Sequence, residues 1–191
     1  MKQPEARQKR LIQVFEKGAE LCLRQLGKIS GAAWGTEAVF LGEASQEQLH
    51  KLFAGSLEDC WGNWFTSQGA AFLIIFSRKP GMVVSGKFTR SSKAADALEN
   101  RDAKAIAEVS NILVNGFASA LADAIDRDLI VSEPHSMTDS RRELIARGLK
   151  TLVDPAKLGA SCLVRLLSPG LVTEFSVIAL LDQATLDELK S

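Results

Sequence analysis

The chain has 191 residues, enough to bury a substantial core as one domain or two closely packed halves. Apolar residues make up 46% and charged residues 24%, and the net charge is zero; this argues against a general electrostatic affinity for nucleic acid or anionic membranes. The charged stretch Met1–Arg10 leads into no uninterrupted apolar run, so no signal peptide is read there, and the longest strongly apolar run, near Ala70–Phe76, is too short to span a bilayer. No membrane insertion and a cytoplasmic location are expected.

The first predicted element is a helix over residues 8–26, with Leu11, Val14, Phe15, Leu21 and Leu26 among its apolar positions and Gly27 and Gly31 where it should stop. A strand at Ala38–Leu41 and a short helix near Gln46–Phe53 follow. Phe72–Phe76 and Met82–Val84 then flank Lys79-Pro-Gly81, which reads as two strands and a turn. Ser91–Leu98 is a short helix opened by a serine cap.

The second half repeats that order. A long helix covers Asp102–Asp126, a strand Leu129–Ser132 and a helix Ser140–Leu152. Strands at Ser161–Leu167 and Leu171–Leu181 surround Ser168-Pro-Gly170, and a helix over Ala184–Lys190 follows. Each half is helix, strand, helix, hairpin, at an offset of roughly 90 residues. The fold class is therefore α+β: two pseudo-repeated halves whose long helices pack on a mixed β-sheet. One domain is expected over 1–191, with a degenerate half at 8–99 and a motif-bearing half at 100–191.

Few side chains look like chemistry. Cys22, Cys60 and Cys162 are scattered, and with His50 and His135 they offer no metal-ligand spacing, so buried reduced thiols and no metal site are expected. The stretch Gly81–Phe88 approaches a phosphate-binding loop, but Phe88 stands where a Mg2+-binding hydroxyl is required, and the segment reads as a hairpin arm. The spacing of Gly27, Gly31 and Gly35 is not a dinucleotide fingerprint. Trp34, Trp61 and Trp64 are assigned to the core, and the two histidines to surface or loop.

One pattern remains. Glu108, Asn111 and Pro134 form E-x2-N-x22-P. On the long helix Ile106, Val109, Leu113, Phe117, Ala120 and Ala124 share a core face. Lys104, Glu108, Asn111 and Asn115 fall opposite, and Ala118 and Ala122 continue that stripe with small residues that leave room for close approach. A carboxylate and a carboxamide one helical turn apart can pair with a partner's cation and orient a water molecule. Pro134 itself reads as a strand end, since it lacks a donor.

With this spacing the sequence resembles the CheC/CheX/FliY family of chemotaxis phosphatases, whose pattern is Asp or Ser, x3, Glu, x2, Asn, x22, Pro. The resemblance is strongest over about residues 100–182 and is architectural in the first half. It implies a phosphatase that hydrolyses the aspartyl phosphate of a CheY-type response regulator. Asn111 would orient the attacking water and Glu108 would pair with the receiver's lysine. Lys104, Asn115 and Ala118 would be docking positions. No cofactor is implied in this chain, the Mg2+ being the receiver's own. Lys104 departs from the family's Asp or Ser and changes the charge facing the partner. The first helix has no Asn over residues 8–26, so a single site, as in CheX-like members, is implied. A homodimer and a CheD partner are compatible with the resemblance. The alternative is a non-catalytic binding module of the same fold.

Overall fold

In a computed structural model of the chain, residues 3–42, 47, 51, 59–77, 98–152 and 158–189 are described. The elements run α1 (Gln3–Ser30), β1 (Gly35–Gly42), β2 (Asp59–Ser67), β3 (Ala70–Ser77), α2 (Leu98–Ile125), β4 (His135–Ser140), α3 (Arg141–Leu152), β5 (Leu158–Ser168), β6 (Thr173–Asp182) and α4 (Gln183–Glu188). The six strands form one sheet in the order β1-β5-β6-β3-β2-β4. Exchanging β1 with β4, β2 with β5 and β3 with β6 maps this order onto itself. The strands beginning at 35, 59 and 70 recur as strands beginning at 135, 158 and 173. The two halves are thus interleaved in one sheet. Every pairing is antiparallel, which corrects the expected mixed sheet. Hairpins join β2 to β3 and β5 to β6, and hairpins can only pair strands antiparallel.

The central strands β3 and β6 are buried along nearly their whole length, as their continuous apolar runs require. Alternation sends Phe72, Ile74 and Phe76 of β3, with Val177 and Ala179 of β6, into a core shared with α1 and α2. The intervening Leu73, Ile75, Ile178 and Leu180 pack with Leu144, Ile145 and Leu149 of α3 on the opposite face. Two long helices therefore cover one face, as expected, and a shorter one covers the other.

Where α1 and α2 pack against each other, each presents a glycine to a side chain of the other. A Cβ on Gly18 would lie 2.6 Å from Phe117 Cδ1, and one on Gly116 would lie 2.5 Å from Cys22 Sγ. The Cys22 thiol donates to the Leu113 carbonyl at 3.3 Å, and Lys17 pairs with Asp123 at 2.7 Å on the exposed side. Helix α1 ends at Ser30. Gly31 takes a positive φ of 66° and its N–H donates to the Gly27 carbonyl at 2.9 Å. Trp34 stacks on Phe175 at 4.8 Å and, like Trp61, is partly buried against the core under α1 and α2, while Trp64, 5% exposed, lies in the core on the α3 side.

Several boundaries differ from the sequence reading. Strand β2 was not anticipated, because Gly62 and Asn63 break its pattern. It makes β3 the second arm of a hairpin turning at Gln68-Gly69. Residues 79–81 and 82–84, the Gly81–Phe88 stretch, His50 and all of Ser91–Leu98 except Leu98 lie outside the described residues. Of the helix expected at 46–53, residues 47 and 51 are described; both are helical and joined by a Lys51–Glu47 ion pair of 2.8 Å. No strand forms at Leu129–Ser132. That segment is irregular, and the strand is the polar His135–Ser140. Pro134 therefore precedes a strand instead of ending one.

The three cysteines are free and buried, as expected. Burial pushes the Cys22 thiol up to about 12 and the Cys162 thiol well above its usual value. Since the thiolate is the nucleophile, all three are expected to resist iodoacetamide at pH 8 in the native protein and to react fully in denaturant. Mass spectrometry would show this, and rapid native labelling of Cys22 or Cys162 would contradict the packing.

Candidate functional site

Helix α2 carries the motif and is more deeply buried than its wheel suggests. Ile106, Val109, Leu113, Phe117 and Ala120 are buried as expected. A second apolar row, Val114, Ala118, Leu121 and Ile125, is buried as well. These four follow one another at the three- and four-residue steps of a single helix face. Ala118 is thereby removed from the expected docking positions: at 4% exposure it offers a partner no surface. The stretch Ala103–Ile125 is long and apolar enough to cross a membrane by length and composition, and about half of it (56% of an 18-residue window) is buried inside this fold.

Lys104, Glu108 and Asn115 are exposed, and Asn111 is half-buried between the exposed stripe and the row of Val114 and Ala118. Among the described residues, no hydrogen bond or ion pair engages the Glu108 carboxylate or the Asn111 carboxamide. The two groups are presented one turn apart on a helix fixed by packing on two sides. The carboxamide offers a donor and an acceptor with no proton to lose near neutrality, and the carboxylate only accepts. No group of three or more His, Cys, Asp or Glu side chains positioned to hold a metal occurs among the described residues.

The 22-residue interval to Pro134 has a geometric meaning. Ile112–Ile125 descends about 21 Å along the helix. The chain turns at Asp126, which takes a positive φ of 57°, and Arg127 N–H donates to the Ala122 carbonyl at 3.2 Å. Residues 126–133 span up to about 26 Å when extended. The strand that begins at His135 is thus returned to the level of Asn111. Ser132 N–H donates to the Thr66 carbonyl at 2.8 Å, and Thr66 N–H donates to Ser132 Oγ at 2.9 Å. The regular β2–β4 ladder starts at the Trp64–His135 pair, just past Pro134.

Three polar residues that the sequence reading passed over bind this strand to the helix. Asn63, on the helix-facing side of β2 between Trp61 and Phe65, is 2% exposed. Its Nδ2–H donates to Ser110 Oγ at 2.7 Å, and Ser110 donates to the Ile106 carbonyl at 2.8 Å. Ser136 Oγ–H donates to Asn63 Oδ1 at 2.6 Å. Ser110 immediately precedes Asn111, and Ser136 lies two residues after Pro134. The one available signal was Asn63 itself, a polar residue in an aromatic strand.

No family model matches the sequence, and no curated protein matches it. Solved structures do match its fold. FliY from Thermotoga maritima superposes with a TM-score of 0.61 at 11% identity, covering 93% of this chain and 90% of that one. CheX in the CheX–CheY–BeF3–Mg2+ complex from Borrelia burgdorferi gives 0.57 at 12% identity, covering 90% and 97%. The chain has the CheC/CheX/FliY fold. The same CheC/CheX/FliY architecture is seen in FliM from H. pylori, in the FliM–SpeE complex, with a TM-score of 0.65 at 8% identity over 98% of this chain and 95% of that one. FliY, CheX and FliM match with similar scores, so the fold does not single out the CheX-like members that a lone motif implies. Within this CheC/CheX/FliY frame, α2 with Glu108 and Asn111 lies on the two-helix face of the sheet.

Proposed function

We propose that this chain is a phosphatase acting on the phosphorylated receiver domain of a CheY-type response regulator. The observation that carries the reading is the pair Glu108 and Asn111. They stand uncommitted among the described residues, on a rigid helix, in a fold shared with a CheX that forms a complex with CheY. Helix α2 docks on the receiver and Glu108 pairs with a lysine there. Asn111 holds a water in line with the phosphorus, accepting from it and donating to a phosphoryl oxygen. The P–O bond to water forms as the bond to the aspartate carboxylate breaks, giving inorganic phosphate and free aspartate. An acyl phosphate is already labile and the receiver supplies Mg2+, so positioning is the whole task. Lys104 and Asn115 extend the docking stripe. A cytoplasmic setting, a homodimer and a CheD partner belong to this proposal.

The fold shared with FliM in its complex with SpeE supports a second reading, a module that binds a response regulator or a chemotaxis partner without hydrolysis. Mixing the chain with a phosphorylated CheY-type receiver and Mg2+ separates the two. The phosphatase reading expects release of inorganic phosphate well above the receiver's own rate and rising with the amount of chain. Saturable binding with no acceleration would leave the binding module.

A further inference from the structure

We infer that Asn63 is a positioning residue that sets the rotation and height of helix α2, and with them the presentation of Glu108 and Asn111. This rests on the phosphatase reading for its kinetic consequence and on geometry for the rest. The packing of Ile106, Val109, Leu113 and Phe117 in the core is apolar and non-directional. It decides which face of the helix is buried but resists a small slip in rotation or height only weakly. Even a slip of about 1 Å would carry Asn111 away from its place. The Asn63 amide resists that slip because hydrogen bonds are directional. At 2% exposure it has no water to fall back on, and a displaced helix would strand its Nδ2–H without Ser110 Oγ. Its carbonyl is held in turn by Ser136, on the strand that follows Pro134. The amide therefore joins the two ends of the E-x2-N-x22-P interval. A buried amide in a row otherwise filled by Trp61 and Phe65 is a poor choice for packing alone and a good one for specifying a unique register.

The variants are Asn63→Leu, close in size and unable to bond, and the milder pair Ser136→Ala and Ser136→Thr, the second of which keeps the hydroxyl. Leu163→Ala, in the core on the α3 side of the sheet, serves as the control for lost stability. Two measurements are made on each folded variant: hydrogen exchange across residues 106–114 relative to β5 and β6, and kcat and KM for phosphate release from a phosphorylated CheY-type receiver. Asn63→Leu is expected to speed exchange in 106–114 about tenfold beyond any global change. It is also expected to lower kcat about ten- to a hundredfold with KM nearly unmoved, the signature of a misplaced water-orienting group. Ser136→Ala should do the same more weakly, Ser136→Thr should restore it, and Leu163→Ala should do neither. If Asn63→Leu leaves local exchange no faster than the control does, the positioning role is overturned. It is equally overturned if local exchange rises but kcat per folded molecule holds while Asn111→Ala abolishes activity; in that case the phosphatase reading survives. If the native chain releases no phosphate, the phosphatase reading fails instead, and the exchange data alone decide whether Asn63 sets the helix.

Discussion

Replacing Asn111 with alanine is expected to reduce accelerated phosphate release by about a hundredfold or more while leaving the protein folded and able to bind the receiver. Removing one preorganised group from a transition state has an effect of that order. Among the described residues no hydrogen bond or ion pair engages the group, and alanine has a slightly better helix propensity than asparagine, by a few tenths of a kcal/mol. The loss should therefore appear in kcat, because Asn111 engages the attacking water. Glu108→Ala should act mainly on KM, since a pairing carboxylate contributes alike to ground and transition states. Its effect should shrink as salt rises, because Glu108 is exposed and its attraction to a receiver cation is screened. Stopped-flow release assays at two ionic strengths measure all of this. Acceleration that survives Asn111→Ala would falsify the mechanism, and a Glu108→Ala defect confined to kcat would reassign the carboxylate.

The parts of the fold legible in the sequence were those with a strong period. The apolar rows of α1, α2 and α3 and the continuous runs of β3, β5 and β6 placed those elements to within a few residues. Strand β2 was hidden because Gly62 and Asn63 sit at its centre. Both are explained by contacts that only the fold creates. A Cβ at Gly62 would approach Leu144 Cδ2 to 2.9 Å, and Asn63 bonds Ser110 and Ser136. Strand β4 was hidden for a different reason. It lies at the edge of the sheet among the described residues, and its residues, His135-Ser-Met-Thr-Asp-Ser140, are mostly polar, so no alternation marks it. The placement of Glu108 and Asn111 on the outer stripe of α2 could be read from one helix alone. That of Ala118 could not, because its burial depends on the second apolar row of α2. The polar bridge beneath Asn111 could not be placed either, because it joins three elements far apart in the chain.

Phe117→Ala should have the largest effect on stability of any single change near the site, about 3–5 kcal/mol, out of the roughly 5–15 kcal/mol typical of a domain. The ring is 1% exposed, lies 5.8 Å from Phe15 and fills the space that Gly18 leaves open between α1 and α2. Gly18 has no side chain to move into the vacancy, so the cavity should persist. Urea denaturation should show a lower midpoint at nearly unchanged slope, since the surface exposed on unfolding hardly changes. A loss under about 1 kcal/mol would mean that the helices collapse around the gap or do not meet there. This variant should also reverse the pattern of Asn111→Ala. Phe117 points inward, about two turns along the helix from Glu108 and Asn111, and the Asn63 bridge at Ser110 holds the motif end. Phosphate release per folded molecule should then stay within a few-fold of the native rate, well inside the range in which fewer folded molecules rather than altered chemistry explain lost activity. Large stability loss with intact chemistry from Phe117→Ala, and the converse from Asn111→Ala, would show that one face of α2 builds the fold while the other carries the reaction.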